Sequence, residues 1–246
     1  MMKKLVVNAD DFGFSKGVNE GIVEGCRKGI ITSASIMANY DLKHLPEEKK
    51  LGLGVHLNAT FGNSLVDGKS FPKKMWSRAF LIKTNGCFIE REFRKQIETL
   101  QELGYKLDHI NTHQHIHVIP PVTKIVYDLA REFKIKYVRY PKENKEKTTF
   151  EAKIVDFHLK KFPKDLKCAD NFFGLQDTGN PLLENYYSYL DFKGSAEIMC
   201  HPGKSSRDSS KLSSVRGKEL KILMNKRLKE EIKKRKIKLV RCKDLW

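Results

Sequence analysis

Paired cysteine is missing from this chain. Its five cysteines, Cys26, Cys87, Cys168, Cys200 and Cys242, are odd in number, scattered, and never arranged as CxxC. That argues against a disulfide framework or a zinc ribbon and points to reduced, mostly buried thiols in a cytoplasmic protein. Long apolar runs are also missing, and none approaches the ~20 residues of a membrane span. The basic start "MMKKLVV" runs straight into "NADD", so it reads as a first strand and not as a signal peptide. No repeat, low-complexity linker or break in composition divides the 246 residues, and one domain over 1–246 is the simplest organisation. Acidic residues are the minority: 30 Asp and Glu face 47 Lys and Arg, for a net charge of +17.

What remains is a chain that is 40% apolar, enough for a sizeable core and too much for a disordered protein. The charge is uneven. Residues 216–243 hold thirteen Lys and Arg against three Glu. Such a patch attracts nucleic acid or an acidic surface. Here it flanks a regular amphipathic pattern with no nucleic-acid motif beside it, and a solvated helix face is the preferred reading.

Strand-like and helix-like stretches alternate. Residues 3–9 read as a buried strand, and Ser15 caps a helix to residue 28 that Gly29 closes. "TSASIMAN" (32–39) and "LGLGVHLN" (51–58) supply further strands, and 59–88 reads as a long irregular loop. Phe93, Ile97 and Leu100 stripe a helix over 90–103 that Gly104 stops. "HINTHQHIH" (109–117) starts as a strand, and Pro120 and Pro121 open a helix to about 133. A strand at 136–141, an apolar segment at 166–169, a helix over 150–162 and a strand at 196–203 follow. Leu220, Leu223, Met224, Leu228 and Ile232 mark one long helix, before a last strand at 236–242. The alternation predicts an α/β fold with about seven or eight parallel strands, as an irregular (β/α), TIM-barrel-like barrel or a doubly wound sheet.

Residues of catalytic type recur just after apolar strands: Asp10 and Asp11, His56, His113 with His115 and His117, Arg139, Asp170 with Asn171 after 166–169, and His201. In parallel α/β folds the carboxyl ends of the strands gather on one face, where sites form. One carboxylate with two imidazoles is a common ligand set for a hydrolytic metal. Alone, a strand-end Asp is more often a cap and a lone His a core hydrogen-bonding residue. In an extended chain "HQHIH" would point 113, 115 and 117 to one side. Asp10 and Asp11 would face opposite ways, and reach one site only if the strand ends there and turns at Gly13.

"VVNADDFGFSKGVNEGIVEGCRKGIITSASIMAN" (6–39), "GVHLN" (54–58), "THQHIHVIP" (112–120), "VRYP" (138–141), "EIMCHPG" (197–203) and "RGKELKIL" (216–223) together resemble the YdjC-like carbohydrate deacetylase family. The resemblance implies the barrel, removal of N-acetyl groups from sugars such as chitooligosaccharides, and a homodimer. It implies a divalent metal held by Asp11, His56 and His113, with Asp10 as general base and His201 as a second acid/base group. Arg139 and Asp170, with His115, would line the substrate pocket. The family description favours Mg²⁺, whereas the two imidazoles favour Zn²⁺ or another transition metal. One departure stands out: the family usually has Asp-Ser where this chain has Asn111-Thr112. If that position orients His113, metal affinity or pH optimum would shift. The rival readings are another metal-dependent amidase or phosphoesterase on a similar barrel, a basic nucleic-acid-binding protein, and a catalytically weak sugar-binding module.

Overall fold

A computed structural model describes residues 2–43, 45–143, 162–204, 210 and 212–245. The helix expected over 150–162 lies outside them but for its last residue.

The first strand, β1 (Lys4–Phe12), is buried from Leu5 to Phe12, so both its faces are covered, as a central parallel strand requires. Ser15 caps α1 (Lys16–Lys28), its Oγ accepting from Val18 N at 3.3 Å, and Gly29 closes the helix. The chain continues through β2 (Ser33–Ile36), β3 (Gly52–Leu57), α2 (Met75–Thr84), α3 (Gly86–Glu102), β4 (His109–Thr112), α4 (Val122–Glu132) and β5 (Tyr137–Val138). Then come β6 (Asn171–Phe173), α5 (Leu183–Ser188), β7 (Ser195–Cys200), α6 (Arg216–Leu223), α7 (Lys226–Lys234) and β8 (Lys238–Leu239).

The strands pair in the order β5-β4-β3-β2-β1-β7-β6, with β8 joining the start of β1, and every pair is parallel. This is the expected barrel-like α/β sheet. Phe93, Ile97 and Leu100 of α3 are fully buried, as their stripe predicts. Each such burial stabilises the fold by about 1.5–3 kcal/mol.

Three local expectations are corrected. The stretch 59–88 contains α2 and the start of α3; "MWSRAFLIKT" carries no one-sided apolar stripe, so periodicity gives no signal for α2. The long helix marked by Leu220 to Ile232 is two helices, because the chain breaks at Met224 and Asn225 caps α7, its Oδ1 accepting from Leu228 N at 3.1 Å. Residues 166–169 are not a strand; the strand begins at Asn171.

The strands also bring together an unusually polar set of buried side chains. Asn8, Asp10, Ser35, His56, Asn111, Arg139 and Glu197 are all at most 2% exposed and are joined by hydrogen bonds. Buried polar groups persist only when satisfied in this way.

Candidate active site

Two adjacent carboxylates reach one site because β1 does not stay regular. It runs on past both aspartates, but its register against β2 slips between Ala9 and Phe12. Ala9 faces Ala34 and Phe12 faces Ile36, so β1 holds one residue more than its partner over this span. Asp11 sits in the left-handed region at φ 66°, a conformation Asp tolerates better than most residues. The device is therefore a bulge at Asp11, not a strand end turned by Gly13.

Asp11, His56 and His113 converge. Asp11 Oδ1 lies 3.5 Å from His56 Nε2 and 3.4 Å from His113 Nδ1, and the two nitrogens are 3.3 Å apart. A point about 2 Å from all three atoms exists at the centre of such a triangle, the length of a bond from nitrogen or oxygen to a transition cation. Asp11 Oδ2 is held by Arg216 Nη2 at 2.7 Å. Oδ1 is buried and has no hydrogen-bond partner among the described residues. An unpartnered buried carboxylate oxygen facing two imidazole nitrogens suits a cation of mixed nitrogen and oxygen coordination. Burial alone would raise the Asp11 pKa, but His113 and Arg216 hold it well below the ordinary carboxylate range. Burial pushes His56 down to about 4 against the opposing pull of Asp10 and Asp11, so its imidazole is neutral and able to ligate at neutral pH. His113, with 20% of its side chain exposed, is the member that meets solvent.

Asp10 lies beside this cluster in a dense frame of donors. Its Oδ1 accepts from Arg139 Nη2 at 2.7 Å, Asn8 Nδ2 at 2.8 Å, Ser35 Oγ at 3.1 Å and Asn111 Nδ2 at 3.2 Å. Oδ2 accepts from Arg139 Nη1 at 2.6 Å and faces His201 Nε2 at 4.0 Å. Burial would raise the Asp10 pKa; the Arg139 guanidinium, with His56 and His201, outweighs it and holds the group far below the usual carboxylate range.

Arg139 was expected to line a substrate pocket. It is instead fully buried, and its guanidinium is clamped between Asp10 and Glu197, whose Oε1 accepts from Nε at 2.7 Å. Tyr137 donates its hydroxyl to the other oxygen of Glu197 at 2.6 Å. Arg139 is thus a positioning residue for Asp10. Glu197→Gln keeps an oxygen for Arg139 but removes the second anion. Turnover should fall about 10-fold with KM and cation binding unchanged, as read by steady-state kinetics beside metal analysis.

Asn111 orients His56, not His113. Its Oδ1 accepts from His56 Nδ1 at 2.6 Å, while its Nδ2 donates to Ser35 at 3.0 Å and to Asp10. A carboxylate at this position could accept from His56 but could not donate to Asp10.

The histidine cluster does not line one side. Residues His113–Val118 form a 3₁₀ segment, with Gln114 and His115 at φ 55° and 53°. His113 joins Asp11. His115 packs against Phe172 and His117, its ring centroid 6.0 and 5.9 Å from theirs, and is not among the groups that meet at Asp11. His117 is a buried structural residue. Thr112 Oγ1 donates to its Nδ1 at 2.6 Å and its Nε2 donates to the Arg139 carbonyl at 3.1 Å. Burial, helped by Arg139, lowers its pKa to about 3.

A histidine kept neutral in the fold but free to protonate once unfolded, at about 6.5, makes stability fall as pH drops. Between about pH 6.5 and 4, His117 should contribute about 1.4 kcal/mol of lost stability per pH unit. Urea unfolding of the chelated protein across that window checks this, and His117→Gln should flatten the slope by that amount.

Asp170 is not brought to the site. It precedes β6, and its Oδ2 accepts from Ser195 N at 2.8 Å and Ser195 Oγ at 2.7 Å, tying together the starts of β6 and β7. The site occupies the opposite, carboxyl ends of the strands.

Two functional residues escape sequence reasoning. Arg216 is buried, yet nothing separates it in sequence from the twelve other basic residues around it. Glu197 had a signal: one charged residue inside the strand "SAEIMC" demands a buried counterion. The first turn of α6 serves both aspartates' neighbourhood, since Arg216 grips Asp11 and Glu219 accepts from the His201 backbone N–H at 2.8 Å.

A model of the YdjC-like protein family matches residues 4–234. A carbohydrate deacetylase of Brevibacillus brevis is 34% identical over 98% of this chain and 99% of its own length. One of Clostridium beijerinckii is 32% identical over 98% and 100%. A crystal structure from Enterococcus faecalis, described as a candidate cellobiose-phosphate cleavage protein, superposes with a TM-score of 0.83 over 100% of this chain and 99% of that one. At 22% identity it speaks for the fold alone. No helix among the described residues is long and apolar enough to cross a membrane.

Proposed function

The chain belongs to the YdjC-like protein family, and on that premise we propose that it is a metal-dependent deacetylase of N-acetylated sugars, with short chitooligosaccharides such as N,N'-diacetylchitobiose as the substrate class. One observation carries the reading. Asp11 Oδ1, buried and without a hydrogen-bond partner among the described residues, faces two imidazole nitrogens, and the Asp10 carboxylate lies beside it with His201 Nε2 at 4.0 Å.

A divalent cation held by Asp11, His56 and His113 would supply Lewis acidity toward the amide carbonyl and make nearby water more acidic. The protein's own groups move the protons. Asp10 is ionised at any working pH, and its Oδ2 is the oxygen not already saturated by donors. It accepts a proton from the water that attacks the acetamide carbonyl carbon. The proton leaves Asp10 for solvent once acetate departs, which resets the carboxylate. His201 Nε2, 4.0 Å from the same oxygen, delivers a proton to the departing sugar nitrogen as the carbon–nitrogen bond breaks. The products are acetate and a free amino sugar.

The nitrogen-rich donor set favours Zn²⁺, Co²⁺, Ni²⁺ or Mn²⁺ over Mg²⁺. An acetate-release screen over N-acetylated mono- and disaccharides with several divalent cations tests the reading. Acetate from an N-acetylated disaccharide supports it. Release of phosphate or of a monosaccharide from a phosphorylated disaccharide, with no acetate from any acetylated sugar, would replace it.

A further inference from the structure

A second set of metal-ligating side chains meets at the other end of the strands. Asp108, His109 and Cys242 each offer a ligand atom, and these atoms lie within 4.8 Å of one another. His109 and Cys242 are 1% and 0% exposed, whereas Asp108 reaches solvent with 12% of its side chain. Deacetylation uses none of the three.

His109 is only half satisfied. Its Nδ1 meets Asp108 Oδ1 at 2.5 Å, which places the ring proton on Nδ1 and leaves a bare lone pair on Nε2. That nitrogen is buried and has no hydrogen-bond partner among the described residues. A carboxylate on one ring nitrogen and an open lone pair on the other is the usual orientation of a metal-binding histidine.

Strand β3 makes room for this cluster. A Cβ on Gly54 would stand 2.4 Å from His109 Cδ2 and Cγ. A Cβ on Gly52 would stand 2.9 Å from both Asp108 Oδ2 and Ser33 Oγ. Glycine inside a strand weakens it and marks a close approach, and here two alternate glycines clear space for the same pair of side chains. Ser33 Oγ also accepts from Cys242 N at 3.2 Å, which seats the C-terminal turn, Cys242–Asp244, against β2. Two basic groups at the same turn are already engaged: Arg241 pairs with Asp244 at 2.8 Å, and Lys4 Nζ donates to the carbonyls of Asp244 and Leu245 at 3.0 and 2.8 Å.

We infer that His109 and Cys242, with Asp108 orienting the imidazole from its other nitrogen, form a second cation site, which takes a thiophilic divalent transition metal such as Zn²⁺ and staples the start of β4 to the C-terminal turn. Thiolate with imidazole selects such metals over Mg²⁺ and Ca²⁺. On binding, the Cys242 thiol loses its proton to solvent and its sulfur bonds the cation; nothing is oxidised or reduced. The thiolate and the Asp108 carboxylate behind the imidazole together offset the 2+ charge, and water fills the remaining coordination positions.

The test is a Co²⁺ titration of the chelator-treated full chain followed by absorption. A thiolate ligand gives a near-ultraviolet charge-transfer band, and Asp11, His56 and His113 contain no sulfur, so the band reports this site whether or not the deacetylase reading holds. The expected result is a band in the wild type that persists in His56→Ala and vanishes in Cys242→Ser. His109→Gln, which keeps the thiol, should weaken the Co²⁺ affinity behind the band at least about 10-fold. No band in the folded wild type, or a band that survives Cys242→Ser, overturns the proposal.

Discussion

Asp10→Asn should lower acetate release by about 10²- to 10⁴-fold and leave the divalent cation bound. The geometry says which atom is lost. Oδ1 is surrounded by four donors, from Arg139, Asn8, Ser35 and Asn111, so an amide at position 10 keeps its carbonyl oxygen there. The amide nitrogen then takes the place of Oδ2, opposite Arg139 Nη1 and facing His201. The one oxygen able to accept a proton from the attacking water becomes a donor. Arg139 retains Glu197, so its charge is not stranded. Single-turnover acetate release with metal analysis on the same preparation checks both halves. Loss of the cation, with activity restored by excess metal, would mean that the roles of the two aspartates are exchanged.

His56→Ala should reduce affinity for the cation by about 100-fold or more and abolish turnover at stoichiometric metal. His56 is fixed from behind by Asn111 Oδ1 at 2.6 Å, which points Nε2 at Asp11 and His113. Removing the ring deletes one of three ligands and leaves Asn111 and the Asp11 oxygen without that neighbour. Equilibrium dialysis against Zn²⁺ or Co²⁺ measures the effect. Unchanged affinity would show that the cation, if bound, is held elsewhere.

Much of this site is legible in the sequence for one physical reason: parallel strands deliver their carboxyl ends to one face. Asp10, Asp11, His56, His113 and His201 each follow an apolar run, and they meet where that rule says. The helix stripes and the Ser15 cap are equally readable, because burial and capping impose a periodic or local signature.

What resists reading is local backbone geometry and long-range charge pairing. The bulge at Asp11 has no sequence signature, since Asp enters the left-handed region without needing glycine. Alternation fails in "HQHIH" because two non-glycine residues adopt positive φ. Arg139 and Arg216 read as pocket and surface residues, and only the fold reveals that each is buried against an aspartate 129 or 205 positions away. Asp170 stands away from the site because its strand begins after it and not before. Asn111 serves His56 and not His113 because β4 lies beside β3, where His56 and Asn111 are register partners.

The most direct test of the account is acetate release from N,N'-diacetylchitobiose by the wild-type protein before chelation, after chelation, and after return of one equivalent of a divalent transition cation. The account predicts activity, its loss, and its recovery, with no recovery in His56→Ala. Acetate release that is indifferent to chelation, or that recovers equally well in His56→Ala, would contradict it.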